Sequence, residues 1–434
     1  MKWEPAKTDD MKRILLIAAA LLVAAAASAQ SWWKVDAGLE AALREDLTRS
    51  GSNHCPYTVG DLRDTPPPAG FKPFYISHYG RHGSRHSWGD SYYQLIIGVL
   101  QKADSLGIIT PAGREVLAQT REVNAAWNGM DGRLSQRGVR ELSEIGHRMV
   151  RRFPQVFRGA PKVRAISSTV QRCIISMNAM TTAVAADRPR VRWTLDTGER
   201  FMDYISDTGT KLPLCRTLAS GYKEHLWDAP CDSLQLLGVL FTDTAAGRRL
   251  IPSLDRFHKA MFRTATISDC WNIEERILKY LPFEYVYRFY SYECHDMVAR
   301  YGHSAEVGEG RFSEDYSLGK DFVSKADEAI AGGEYAVDLR FGHDYPMLTF
   351  CSWLGVEGPG SRLSVDEIDA KWLGWKELCM ASNLQAVFYR NRAGKVLVKF
   401  LYQEQERKLR GMESVTGPYY DWTELRSRIE GYKR

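Results

Sequence analysis

The sequence lacks most of the features that would place it in a class at a glance. None of its eight cysteines forms a C-x-x-C pair, so the usual spacing of a thiolate zinc site is missing. There is no long block of basic residues, and the net charge is only +5, so nothing marks a nucleic-acid-binding arm. No apolar run reaches the roughly 18 residues that a membrane-spanning helix needs. Internal repeats and low-complexity stretches are absent as well. With 44% hydrophobic and 26% charged residues over 434 positions, the chain has what a large globular core requires.

Residues 11–30 (MKRILLIAAALLVAAAASAQ) place Lys12 and Arg13 before a short apolar stretch and end on the small-x-small site Ala27-Ser28-Ala29. That order predicts a cleaved signal peptide over 1–29, with Met11 as a possible start. The protein is therefore expected to be exported, periplasmic or secreted, with no stable membrane insertion after cleavage. No cysteine closely follows the cleavage site, which argues against a lipid anchor. In an oxidising compartment the cysteines are free to form bridges or to stay as buried thiols.

Residues 30–70 contain Cys55-Pro56 and Pro66-Pro67-Pro68 and predict an extended lead-in wrapped on the surface. A core strand follows over 71–79 (FKPFYISHY), stopping at Gly80, then a helix after Asp90. A helix over 134–153 behind a Ser135 cap, a strand over 161–169, a helix over 170–186 and a strand over 191–195 repeat the alternation. Residues 334–340 (EYAVDLR) read as a later strand, with a helix from Pro346, and 384–403 as a hairpin. The alternation predicts an α/β domain, a mainly parallel sheet flanked by helices, from 70–200 and 330–434. Between its halves, 201–329 is aromatic and rich in helix formers, which predicts an inserted, mostly helical cap.

The densest chemical signal is 77–86 (SHYGRHGSRH), with Arg81, His82 and Arg85 packed around two glycines where a strand ends. In an open α/β sheet ligands bind at the carboxyl ends of strands. Two guanidiniums there suit an anion, because their planar forks match phosphate oxygens. A solvated basic loop is the plain alternative. His78, His82 and His86 stand four apart and on a helix would align for a metal. The glycines oppose that helix and the arginines would repel the cation.

Arg81-His82-Gly83-Ser84-Arg85 resembles the R-H-G-x-R signature of the histidine phosphatase superfamily. Leu134-Ser135-Gln136-Arg137-Gly138 resembles its L-T-x-x-G helix start. SSTVQRCIISMNAM resembles its S-T-x-x-R-x-x-x-S segment, and Gly342-His343-Asp344 the G-H-D motif of the histidine acid phosphatase branch. The resemblance covers about 57–405. It implies a catalytic pair, His82 as nucleophile and Asp344 as proton donor. The phosphate ligands it implies are Arg81, Arg85, Arg172 and His343, and it implies neither metal nor cofactor. RFMDY (200–204) and 381–404 look most like the multiple inositol polyphosphate phosphatases, which act on phytate-like substrates, so the implied partner is a small phosphorylated molecule. Two departures stand out. Those enzymes usually carry His-Ala-Glu where this chain has His343-Asp344, and the proline common after the first motif is replaced by His86-Ser87. A sugar phosphatase of the glucose-1-phosphatase kind shares the same catalytic parts. A phosphomutase is disfavoured by the leader, and a non-catalytic anion-binding protein would need no acid. A second pair, His295-Asp296, lies in a helix-like aromatic stretch and reads as structural.

Overall fold

A computed structural model describes residues 35–87, 91–209, 213–228, 234–308, 312 and 315–431. The expected signal peptide over 1–29 lies outside them. Among the described residues no helix is long and apolar enough to cross a membrane.

The strands in chain order are β1 (Lys72–Arg81), β2 (Lys162–Ser167), β3 (Arg192–Thr197), β4 (His303–Ser304), β5 (Tyr335–Gly342), β6 (Arg362–Leu363), β7 (Asn383–Arg390), β8 (Val396–Tyr402), β9 (Gln405–Arg407) and β10 (Tyr419–Asp421). All but β4 and β6, which pair with each other, form one sheet in the order β10-β8-β7-β1-β5-β2-β3, with β9 also on β8. β1, β5, β2 and β3 run parallel, while β7 joins β1 antiparallel and leads into the antiparallel half. The expected hairpin is β7 and β8, and β9 and β10 extend the sheet beyond it.

Side chains alternate across the sheet, so each strand feeds two cores. Along β1, Tyr75 and Tyr79 enter one with Phe322, Phe350, Phe388 and Trp422. Ile76 enters the other with Ile145, Met149, Met177 and Met180. Helices Ser317–Ile330, Asp344–Leu354 and Trp422–Gly431 cover the first face, and Gln136–Arg152 and Gln171–Asp187 the second. The central strands β1, β5, β7 and β8 are thereby buried on both sides, and about 25 cal/mol per Å2 of apolar surface removed from water stabilises the arrangement.

Three expectations need correction. β1 does not stop at Gly80 but runs to Arg81, because Gly80 is paired on both sides, to Phe341 and to Asn383, and the ladder outweighs the break. The lead-in over 30–70 is not simply extended. Helix Ala37–Glu45 and a 3-10 segment Leu47–His54 precede the extended part, and Ser50, Gly51, Ser52 and Asn53 are buried. The helical unit also takes in more chain than 201–329. Helices Ser91–Ser105 and Pro111–Trp127 share one apolar cluster with Leu254–Ile267 and Phe283–Tyr301, through Ile96, Leu100, Val116, Phe257, Met261 and Phe289. Their apolar faces find those helices and not the sheet.

Candidate active site

The parallel half of the sheet assembles the site at its carboxyl ends, where such sheets bind ligands. In the β1–β5 register Arg81 stands opposite Gly342, so the next residues, His82 and His343, emerge side by side. Their rings are 5.7 Å apart, edge to face. β2 aligns Ser167 with Phe341, which brings Ser168 against His343 at 3.4 Å. Arg172 lies in the first turn of helix Gln171–Asp187 that follows, and its Nη2 donates to His343 Nδ1 at 3.3 Å.

The loop after β1 is held by the next two motifs. Gly83 and Gly138 meet so closely that a Cβ on the first would lie 2.6 Å from the Gly138 carbonyl, and one on the second 2.3 Å from the Ser84 carbonyl. Only glycine fits at either position. Ser135 caps helix Gln136–Arg152 through Gly138 N, as its sequence predicts, and its hydroxyl donates to the Ser84 carbonyl at 3.0 Å. Glu141, buried, accepts from Ser84 N and Ser84 Oγ at 2.7 Å each and from Tyr57 N at 3.1 Å. Ser176 Oγ accepts from Gly83 N at 3.2 Å.

Arg81 is fully buried. Its Nη1 donates to the carbonyls of Asn53 and Leu378 at 2.6 and 2.7 Å, and its Nη2 faces Asp344 Oδ2 at 2.8 Å. Arg85 donates from Nη1 to the His86 carbonyl at 2.8 Å. Burial, with Arg172 and Arg81 close by, pushes the Arg85 guanidinium down to about 10.

The titrating groups respond to this positive field. His82 is held well below its ordinary value by burial, then by Arg81, Arg172 and Arg85, so it is neutral. Its Nδ1 lies 2.9 Å from the Gly83 carbonyl, which can only accept. The proton therefore sits on Nδ1, and Nε2 carries the lone pair. His343 is lowered to about 4 by burial and by Arg172. Because Arg172 can only donate, His343 accepts on Nδ1 and keeps its proton on Nε2, facing Ser168. Burial works to raise Asp344, but Arg81, His343 and Arg85 outweigh it and hold the carboxyl at about 2.

All six residues implied by the signature motifs thus converge: Arg81, His82, Arg85, Arg172, His343 and Asp344. The three spaced histidines do not. His78 points into the core against Phe341, and His86 sits among Tyr93, Trp127 and Trp271. Among the described residues no group of three or more His, Cys, Asp or Glu could hold a metal ion. His295 is engaged by Asp369 at 3.1 Å and Asp296 by Arg300 at 2.7 Å, a separate network. The seven described cysteines are free thiols.

No protein-family model matches the chain, and no curated protein does. Solved structures do. The multiple inositol polyphosphate phosphatase of Bifidobacterium longum in complex with inositol hexasulfate is similar at 17% identity over 89% of this chain and 98% of that one, with a TM-score of 0.70. Its complex with phosphate gives 0.71 at the same identity and coverage. The phytase from D. castellii is similar at 12% identity over 90% of this chain and 86% of that one, with a TM-score of 0.64. This chain has the histidine acid phosphatase fold.

Within that fold, sequence reasoning missed two residues from the lead-in. Asn53 Nδ2 donates to Asp344 Oδ2 at 3.0 Å. His54 is held well below its ordinary value by burial, then by Arg263, Arg85 and Arg81, with Asp344 opposing. Arg263 comes from helix Leu254–Ile267 and is ion-paired with Glu293 at 2.5 Å. Nothing in 50–55 (SGSNHC) distinguishes it from an ordinary turn, and its approach to the site rests on tertiary contacts alone.

Proposed function

We propose that the protein is a phosphomonoester hydrolase that works through a phosphohistidine intermediate, and that inositol polyphosphates of the phytate kind are its substrates. The observation that carries this reading is a neutral His82 whose Nε2 lone pair faces a site ringed by Arg81, Arg85 and Arg172. The resemblance of the motifs and the likeness of fold to enzymes whose structures hold phosphate and inositol hexasulfate support the substrate class.

Phosphoryl transfer needs an in-line nucleophile, cations around the equatorial oxygens and an acid opposite. Here His82 Nε2 attacks phosphorus. The P–N bond forms as the ester P–O bond breaks, and the departing alkoxide takes the proton of Asp344. Arg81, Arg85, Arg172 and His343 hold the transferring oxygens. Asp344 then accepts a proton from the water that cleaves P–N, releasing phosphate and restoring neutral His82. A carboxyl held near 2 is ionised in the free protein and has no proton to give. The substrate supplies the correction, since a dianion among the arginines offsets the field that keeps Asp344 ionised.

Export is part of the proposal and rests on residues 11–30. The deciding experiment is an activity profile against phytate, glucose 1-phosphate and an aryl phosphate. Phytate is expected to be hydrolysed with the highest kcat/KM. A preference for glucose 1-phosphate would replace the substrate assignment with a sugar phosphatase, and no turnover of any ester would leave an anion-binding protein.

A further inference from the structure

The turn that precedes Cys55 is built under constraint. Ser52 has φ 50 and ψ −121, a left-handed conformation that a serine adopts at a cost. It is buried, with its Oγ 3.4 Å from Cys294 Sγ on helix Phe283–Tyr301. On another side is Gly374, where a Cβ would stand 2.2 Å from that Oγ. The packing that pins Ser52 aims the next residue, Asn53, into the catalytic centre.

Asn53 is buried, and it touches two groups of the mechanism at once. Its main-chain carbonyl accepts from Arg81 at 2.6 Å, and its side-chain Nδ2 donates to Asp344 Oδ2 at 3.0 Å. The amide orientation follows from chemistry, since a carboxylate can only accept. Oδ2 therefore faces two donors, Asn53 Nδ2 and Arg81 Nη2, whereas among the described residues Oδ1 meets only the main-chain N of Tyr345 at 3.0 Å. A proton on Oδ2 would confront both donors, so it belongs on Oδ1.

We propose that Asn53 is a positioning residue for the general acid, binding Oδ2 of Asp344 so that Oδ1 carries the proton delivered to the leaving group. The proposal rests on the phosphatase reading above. Asn53 touches no reacting atom and acts through Asp344.

The groups around Asp344 are Arg81, Arg85, Arg172, His343, His54, Tyr79, Tyr345 and Cys173. Asn53 adds a neutral donor to this set. Removing a donor from the charged form raises the pKa of a carboxyl. Because the acid must be protonated to act, the fall in activity with rising pH then moves to higher pH. For Asn53→Ala the move is on the order of one pH unit. Asn53→Asp keeps the shape, adds a second carboxylate and moves it further in the same direction.

The experiment measures phosphoenzyme formation by rapid quench, with phytate and an aryl phosphate, in wild type, Asn53→Ala and Asn53→Asp. For both variants the phytate step should slow roughly tenfold or more while the aryl step is spared, since an acid matters most for a poor leaving group. For Asn53→Ala, which changes no charge, KM should stay within about threefold of wild type, because the main-chain bond to Arg81 survives. Equal losses for both substrates with an unmoved pH profile would overturn the proposal, as would unchanged phytate kinetics. If Asn53→Ala fails to fold by circular dichroism, the isosteric Asn53→Asp carries the test alone. A wild type that turns over no ester overturns the phosphatase reading and not this contact. The pH dependence of inositol hexasulfate binding then decides: a curve shifted by Asn53→Asp supports the contact, and a superimposable curve refutes it.

Discussion

Binding of a permanently charged anion should be coupled to proton uptake by Asp344, and the coupling can be worked from the structure. The carboxyl is depressed from its ordinary 3.8 to about 2, with burial opposed by Arg81, His343 and Arg85. Inositol hexasulfate does not titrate in the relevant range, and its sulfates in the cradle would offset those charges. If that restores only the ordinary value, the change is worth roughly 2 kcal/mol, a gain in affinity on the order of tens of fold. The sign follows from linkage. A group whose pKa is raised on binding takes up a proton, so affinity grows as pH falls through the bound value and levels off below the free one. Between pH 6 and pH 3 this amounts to about sevenfold, with the remainder below pH 3. His343, lowered to about 4, adds to the trend in the same direction. Asp344→Asn imitates the protonated acid, so it should bind hexasulfate more tightly than wild type at pH 6, on the order of tenfold or more, and lose the Asp344 share of the pH dependence. Calorimetry at several pH values, in buffers of different ionisation heat, yields both affinity and proton count. A flat wild-type affinity from pH 6 to pH 3, or weaker binding by Asp344→Asn at pH 6, would refute the reasoning.

Other outcomes follow from the same geometry. His82→Ala should abolish turnover with the fold retained, and acid-quenched wild type should carry phosphate on His82, detectable by mass spectrometry. Asp344→Asn should slow transfer from phytate far more than from an aryl phosphate in a single-turnover assay, because the stabilised phenolate departs without a proton. Activity should survive EDTA, since three guanidiniums around the nucleophile repel a cation; a loss reversed by zinc or calcium in a metal-titration assay would contradict this. Gly138→Ala would drive a methyl group into the Ser84 main chain, 2.3 Å from its carbonyl, and should lower unfolding free energy in urea by about 1–3 kcal/mol.

The legible part of the molecule is the part encoded in contiguous residues. Arg81 ends one strand with His82 and Arg85 just beyond it, Arg172 lies in the first turn of the helix after another, and His343 with Asp344 follows a third. Strand ends are set by local pattern, and a parallel register then brings them together at one edge, so a linear signature becomes a site. The illegible part depends on packing partners. Periodicity shows that 91–105 and 111–127 have apolar faces but not that these faces meet the helices Leu254–Ile267 and Phe283–Tyr301. Asn53 is separated from Asp344 by 291 positions, and only the tertiary fold reports their hydrogen bond.

The displaced histidines and arginines of the cradle lean the same way as Asp344, and that common sign has a cause. His82, His343, His54 and Arg85 are all lowered, first by burial and then by their cationic neighbours, Arg172 is lowered by burial against the pull of Cys173 and Asp344, and Asp344 is lowered despite burial. Three guanidiniums face one carboxylate, so the cluster carries surplus positive charge in a place from which water is largely excluded. The interlocked glycines and the buried Glu141 hold Ser84 and the loop in place, and Asn53 and Leu378 hold Arg81. That scaffolding lets like charges stand together where free side chains would separate. An arriving phosphate dianion offsets the surplus and, by the same field, raises Asp344 toward protonation, so the ligand that needs the acid also makes it one.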